Sequence, residues 1–187
     1  SALDQETALI RELRGARDIA SLAALPVATD PGIRMVTRIL TSLWAPAYIS
    51  GNQLLSRLIS ATMVRLSLSH GNTEDSPYGY VTHAITVGPI QMDYAAAYEW
   101  GQLALTVNER VGDPRRRAKI YQQFHAHVNF WRRPYETCIP YAREARRSGL
   151  ETGDFTYAGY AAASEVWPAF AASRSLAQYV HEYTPTL

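Results

Sequence analysis

Ser69-His70-Gly71-Asn72, Arg110-Val111-Gly112-Asp113 and Glu151-Thr152-Gly153-Asp154 stand 41 residues apart along a chain of 187. Each reads as the end of one helix and the start of the next. A glycine tolerates the left-handed backbone that closes a helix. The short polar side chain after it can accept a hydrogen bond from the first free amides of the following helix. The same offset recurs between these signals. Ile59, Trp100 and Tyr141 make a column of large apolar residues, and the adjoining column of Ser60, Gly101 and Ala142 is small. Ser56, Ala97 and Cys138 make a second small column, and Tyr80 and Tyr94 recur as Tyr121 and Tyr135. A small residue beside a large one lets a neighbouring helix approach while the bulky side chain fills the gap. One helix pair cannot bury both of its faces, whereas stacked copies can, which is the logic of a solenoid. The period exceeds the roughly 34 residues of tetratricopeptide repeats and falls among longer helix-pair repeats. The expected fold is all-α: a tetratricopeptide-like solenoid of antiparallel helix pairs with about eight or nine helices and a period near 41.

Outward from these signals, apolar periodicity predicts helices over 4–24, 31–48, 53–70, from Ser76-Pro77 to Gly88-Pro89, then 93–111, 114–131, 134–149, 154–171 and 172–183. Pro46 is expected to kink or stop the second helix, Gly149 to end the seventh, and Pro140 to kink or delay it. No stretch alternates as a strand would. The whole chain, residues 1–187, reads as a single helical-repeat domain. It starts almost directly on helical sequence without an initiator methionine, so it is expected to be a fragment of a larger multidomain protein.

Composition narrows the classes. A formal charge of +1 gives no bulk steering toward nucleic acid or membrane. Cys138 is the single cysteine, so no internal disulfide can form and a reducing cytoplasm is the default. No apolar run reaches the roughly 20 residues that span a bilayer, and Asp4, Glu6, Arg11 and Glu12 break any signal-peptide pattern. Lys119 is the one lysine among many arginines, and alanine is abundant, a usage associated with bacteria of GC-rich genomes.

Three stretches carry a family resemblance: Met63-Val64-Arg65-Leu66-Ser67-Leu68-Ser69-His70-Gly71-Asn72, Tyr98-Glu99-Trp100-Gly101-Gln102-Leu103-Ala104-Leu105, and Ser148-Gly149-Leu150-Glu151-Thr152-Gly153-Asp154-Phe155-Thr156-Tyr157-Ala158-Gly159-Tyr160. With Ala45-Pro46-Ala47-Tyr48 and Arg133-Pro134-Tyr135-Glu136-Thr137, they resemble the helical region that follows the AAA/STAND-type ATPase domain of large bacterial multi-sensor serine/threonine and histidine kinases. The resemblance extends over roughly residues 20–180. It implies a non-catalytic segment of a signalling protein, flanked by kinase-like, ATPase and sensor domains. The family's kinase and ATP-binding residues have no positions in this chain.

The residues agree with a non-enzymatic reading. There is no phosphate-binding glycine loop and no nucleophile elbow around a serine. His125 and His127 are two apart, so on a helix they face different ways and do not chelate together; one packed and one solvated histidine is the simpler reading. Cys138 falls in a small-residue column, as an inert buried thiol would. No cofactor or metal is expected. The arginines hold the positive hint: from Glu109 to Arg147 ten basic residues face four acidic ones, with Arg115, Arg116 and Arg117 in the first turn of a helix, where the dipole disfavours them. This strip is either a solvated face, a contact for an acidic protein partner or, with least support, a nucleic-acid contact.

If the third, fifth and seventh helices line the concave face, Arg57, Arg65, Tyr98, Gln102, Arg143 and Arg147 are the candidate partner-binding residues. The expected function is a regulatory protein-interaction module that docks a partner or a flanking domain. The alternative is a helical array that senses a small effector. A homodimer through the terminal helices is a further expectation, since Leu176, Tyr179 and Val180 of the last helix have no evident cover.

Overall fold

The computed structural model describes residues 1–111 and 113–183, with Glu182 and Tyr183 as backbone only. Among the described residues it is all-helical, without a strand. The α-helices are α1 (Ala2–Arg14), α2 (Pro31–Ile49), α3 (Gln53–His70), α4 (Ser76–Gln91), α5 (Tyr94–Val111), α6 (Pro114–His127), α7 (Ile139–Thr152), α8 (Phe155–Ala172) and α9 (Leu176–Tyr183). Three 3₁₀ segments, Ile19–Ala24, Asn129–Trp131 and Tyr135–Cys138, join them.

Local chemistry sets most boundaries. The Ser1 hydroxyl and Asp4 carboxylate form a reciprocal cap on α1. Asp30 accepts from the amides of Gly32 and Ile33 ahead of α2, whose first residue is Pro31. Asn52, Asp93, Asp113 and Asp154 cap α3, α5, α6 and α8 in the same manner. Asn72 breaks the series: Asp75 precedes α4, and the Asn72 side chain is turned inward to other partners.

Several expected boundaries move. The helix expected over 4–24 stops at Arg14, because Gly15 turns the chain at φ 57°. The Arg17 guanidinium then takes the Leu13 and Arg14 carbonyls that the helix leaves free. Ile19 and Leu22, three apart and both buried, continue as a 3₁₀ turn, whose three-residue repeat puts them on one side. Pro46 does not stop α2: it lies in the last turn, and the helix runs on to Ile49. Pro89 likewise falls inside α4, which ends when Met92 adopts a left-handed φ of 58°. The helix expected over 114–131 ends at His127, and the one expected over 134–149 begins at Ile139, with Pro140 in its first turn, as its geometry favours. Gly149 does not end α7. It lies where the helix meets α8, and a Cβ there would be 2.9 Å from the Ala158 Cβ. Gly153, at φ 79°, closes the helix instead. The Gly112 signal lies outside the described residues.

From α2 onward, helices consecutive in the chain pack on one another, most extensively α4 with α5, α6 with α7 and α7 with α8. α6 also packs against α4 and α8, so these three form one layer. α1 lies along α3. Small residues make the crossings close. A Cβ on Gly79 would be 2.7 Å from the Met63 Cβ between α4 and α3, and one on Gly101 2.7 Å from the Phe124 ring between α5 and α6. The core runs the length of the stack, from Ile10, Leu22 and Trp44 through Met63, Tyr80 and Trp100 to Phe124, Ala145 and Tyr157. Within it, the Tyr78 and Tyr157 hydroxyls meet at 2.9 Å and join α4 to α8.

Gly71 carries the tightest constraint. Its φ is 97°, and a Cβ would sit 2.3 Å from the Pro26 carbonyl oxygen. Pro26 and Ala28 pair with Asn72 at 2.7 and 2.9 Å, strapping the N-terminal segment onto the turn between α3 and α4. Gly71→Ala should therefore combine left-handed strain with a backbone clash and lose about 3 kcal/mol or more in urea unfolding. Gly153→Ala meets nothing within 4 Å and should lose only the conformational part, about 1 kcal/mol.

Candidate functional site

The six residues expected to bind a partner fall in three places. Arg57 and Arg65 lie on α3 beneath α1. Arg65 is engaged, with Nε 2.6 Å from the Glu6 carboxylate of α1. Among the described residues Arg57 bonds to Gln53 of its own helix, at 2.8 Å, and it faces a cavity between α1, α3 and α4. Tyr98 and Gln102 stand one turn apart on α5. Arg133 lies over the Tyr98 ring, 5.1 Å from its centroid, and donates to its hydroxyl at 3.2 Å. Gln102 lies beside the Tyr141 hydroxyl of α7 and offsets part of the upward push that burial gives it. Arg143 and Arg147 sit on α7 among carboxylates: Arg143 meets Glu165 of α8 at 2.9 Å, and Arg147 meets Glu144 and Glu151 at 2.7 and 2.8 Å. The structure thus gives Arg65, Tyr98, Arg143 and Arg147 partners within the chain, while Arg57 borders a cavity.

The arginine strip is largely internal wiring. Arg116 spans two carboxylates, Asp113 of its own cap and Asp75 of the loop before α4, with Nε 2.8 Å and Nη2 3.1 Å from Asp75. Asp75 is 3 % exposed there. Arg117 reaches Glu144 of α7 at 3.3 Å, and Arg115 binds Asp113 at 3.1 Å. Burial works against the Asp113 carboxylate, yet hydrogen bonds from Arg115 and the charge of Arg116 hold it below the usual range. The positive first turn of α6, unfavourable to its dipole, is thereby compensated by tertiary partners. Removing Arg116 as Arg116→Met leaves two carboxylates with little solvent and should cost about 3 kcal/mol in chemical denaturation. Arg146→Met, at a position without such a partner, should stay within about 0.5 kcal/mol.

His125 and His127 do face different ways. His125 is buried, with Nε2 3.2 Å from the Ser164 hydroxyl, and the half-buried His127 meets the Tyr48 ring edge-on. Cys138 is a buried free thiol that accepts from Asn129 at 3.3 Å. Cys138, His125 and Ser164 all border one cavity of about 190 Å³. Burial pushes the Cys138 thiol up and the His125 imidazole down to about 3, so at neutral pH both are uncharged and no thiolate–imidazolium pair arises. Among the described residues no group of His, Cys, Asp and Glu is arranged to hold a metal ion, and no helix is long and apolar enough to cross a membrane.

An open apolar surface lies outside the expected residues. α2 and α3 form a hairpin joined at Ser50-Gly51-Asn52. A groove of about 530 Å³ runs between them, lined by Leu40, Leu43, Pro46, Leu55, Leu58 and Ile59 among others. Met35, Val36, Ile39, Ile49 and Leu54 are exposed on the same two helices. The floor is held rigidly: the Trp44 indole donates to Ser60 at 2.8 Å, and Thr37 bonds Thr73 at 3.1 Å. The signal was present in the sequence. Apolar residues at 35, 36, 39, 40, 43 and 44 cover more than one stripe of α2, so one neighbour cannot bury them all. At the far end of the stack Trp167, Phe170, Leu176 and Val180 are also exposed, while Tyr179 packs edge-on against Phe170.

Buried neutral histidines give the fold a pH signature. Burial lowers His83 to about 4 and His125 to about 3, against 6.5 for a free imidazole. Between these values the unfolded chain binds protons that the native chain refuses. Stability is therefore complete above pH 6.5 and falls as the pH drops. Urea unfolding at pH 5 should show a loss on the order of 2 kcal/mol per histidine relative to pH 7.5. His83→Leu should remove about half of that slope.

The chain matches no protein-family model, no curated protein and no solved structure.

Proposed function

We propose that this chain is a non-catalytic regulatory module that docks an amphipathic helix, from a partner protein or a flanking domain, in the groove between α2 and α3. The groove itself carries the reading. It is almost purely apolar, it lies between two antiparallel helices on a pinned floor, and it continues into exposed Met35, Ile39 and Leu54. Contiguous exposed apolar surface marks interaction sites, and a helix laid into a helical groove is a recurrent way to cover one.

The module is a tetratricopeptide-like solenoid with a period near 41 residues. Burial along the proposed columns supports this. Ser60, Gly101 and Ala142 are all buried, as are Ser56, Ala97 and Cys138. Asp113 and Asp154 cap their helices at equivalent positions. The resemblance to the region behind the ATPase domain of bacterial multi-sensor kinases makes a signalling ATPase or kinase the parent, acting in the cytoplasm, where a lone thiol stays reduced. A docked helix would then report the state of an adjacent ATPase or sensor. The second reading, an array that senses a small effector, has the cavity facing Arg57 in its support.

A photo-reactive residue in place of Leu43, within the full-length parent protein, should cross-link to an amphipathic helix of a flanking domain or of a purified partner. The double variant Leu43→Glu and Leu55→Glu should abolish that cross-link from a second probe at Ile39. Both leucines are about half exposed, so stability should change by less than about 1 kcal/mol. Absence of any cross-link at Leu43 and Ile39 would overturn docking in this groove.

A further inference from the structure

A cavity of about 560 Å³ opens between α1, α3 and α4, on the side of α3 away from the apolar groove. Its polar wall is formed by Thr7 and Arg11 of α1, Arg57 of α3, His83 and Thr86 of α4, and Asp93 beyond it. A second cavity of about 240 Å³ adjoins it and shares Arg57, Thr86 and Ile90; its remaining wall includes Trp44, Tyr48 and Pro89. Arg57 therefore stands at the junction of a polar chamber and an aromatic one.

Three side chains in this wall have unspent capacity. Arg57 uses one donor on Gln53, and neither Arg57 nor Arg11 forms an ion pair among the described residues. The carboxylates of the wall are directed elsewhere: Asp4 to the Ser1 hydroxyl at 2.9 Å and Asp93 to the Ala96 amide at 2.9 Å. His83 is 7 % exposed, its ring meets Trp100 edge-on at 5.1 Å, and it makes no hydrogen bond among the described residues. The ring lines the cavity, and its nitrogens are not sealed off among the fully buried polar atoms. Burial keeps this imidazole uncharged at neutral pH, with one donor and one acceptor to offer. Two guanidiniums and an imidazole line one cavity, a set of donors suited to an anionic oxygen pair. The combined volume is that of a small-molecule site.

We infer that this cavity binds a small organic carboxylate with an apolar ring, its carboxylate on Arg57 and Arg11 with a hydrogen bond from the His83 imidazole, and its ring in the Trp44–Tyr48 chamber. The aromatic walls select the ring. Asp4 and Asp93 in the same wall oppose a second negative charge and so favour a monocarboxylate over a phosphate ester. The carboxylate could belong to a simple arylalkanoate or to an aromatic amino acid, whose ammonium would meet Asp93. This site is independent of helix docking between α2 and α3.

Isothermal titration of the 187-residue chain with phenylacetate, phenylalanine and inorganic phosphate tests it, with quenching of tryptophan fluorescence as a second readout. Phenylacetate or phenylalanine should bind, and whichever binds more tightly identifies the source. Phosphate should not bind. Arg57→Gln should weaken binding by about 10- to 100-fold, the loss of a charge-assisted pair. His83→Leu should weaken it less, and Arg38→Gln on α2 should leave it unchanged. Variants that keep the native circular dichroism report the site and not the fold. Absence of binding by both carboxylates at millimolar concentration, equal binding by Arg57→Gln, or a preference for inorganic phosphate would each overturn the assignment.

Discussion

The short loop Gly71–Ser76 is the constraint on which the first half of this molecule depends. It is buried and polar, so every group in it must find a partner inside the protein. Asn72 takes the Pro26 carbonyl with its amide, the Leu22 carbonyl with its side-chain nitrogen and the Tyr80 hydroxyl with its side-chain oxygen. Thr73 meets Thr37 of α2, and Ser76 meets Ser67 of α3 at 2.7 Å. Asp75 holds Arg116 of α6. One turn thus joins the N-terminal segment, α2, α3, α4 and α6. A buried network of this kind rigidifies when all of its members are satisfied, and it fixes how five elements meet where apolar contact alone would allow sliding.

That network explains why the expected repeat reads unevenly. Gly153-Asp154 behaves as the local signal predicts: a left-handed glycine closes α7 and Asp154 caps α8. Gly71 is also at positive φ, but Asn72 is diverted from capping into the tertiary knot, and α4 starts at Ser76, where Ser76-Pro77 placed it. Helix ends were legible because they rest on neighbouring residues. Where an end depends on distant partners the reading fails. The break at Gly15 was missed for a local reason, since three-residue spacing of Ile19 and Leu22 suits an α-helix and a 3₁₀ turn alike. Gly149 does depend on a distant partner: its role is to admit Ala158 of a neighbouring helix, which local sequence cannot distinguish from a helix stop.

The arginines teach the same lesson about sites. A local excess of positive charge reads as a contact surface when counted along the chain. In space, Arg116, Arg117, Arg143 and Arg147 each find carboxylates, several of them on other helices. Arg57 looked no different from them in the sequence. It is set apart because, among the described residues, it forms no ion pair: α1 directs Asp4 to the chain's own N-terminus, while it brings Glu6 to Arg65 two turns further along. Charge that tertiary structure leaves uncompensated is the informative quantity, and only the fold reveals which charges those are.

The two open features of the molecule share one helix. Leu55, Leu58, Ile59 and Thr62 of α3 face the apolar groove, while Arg57 and Ala61 face the polar cavity. Any influence of one on the other must pass through α3 or its neighbours. The helix is restrained at both levels, by Trp44 on Ser60 in its middle and by Ser76 on Ser67 in its last turn. A rigid-body shift of α3 would break both buried bonds. Trp44 has the geometry to carry a smaller change. Its ring lines the chamber beside Arg57, stacks on Tyr48 at 4.8 Å and grips Ser60, and its own helix supplies Leu40 and Leu43 to the groove. Trp44 therefore borders the aromatic chamber with its ring while its own helix lines the groove, and its bond to Ser60 ties both features to the same stretch of α3.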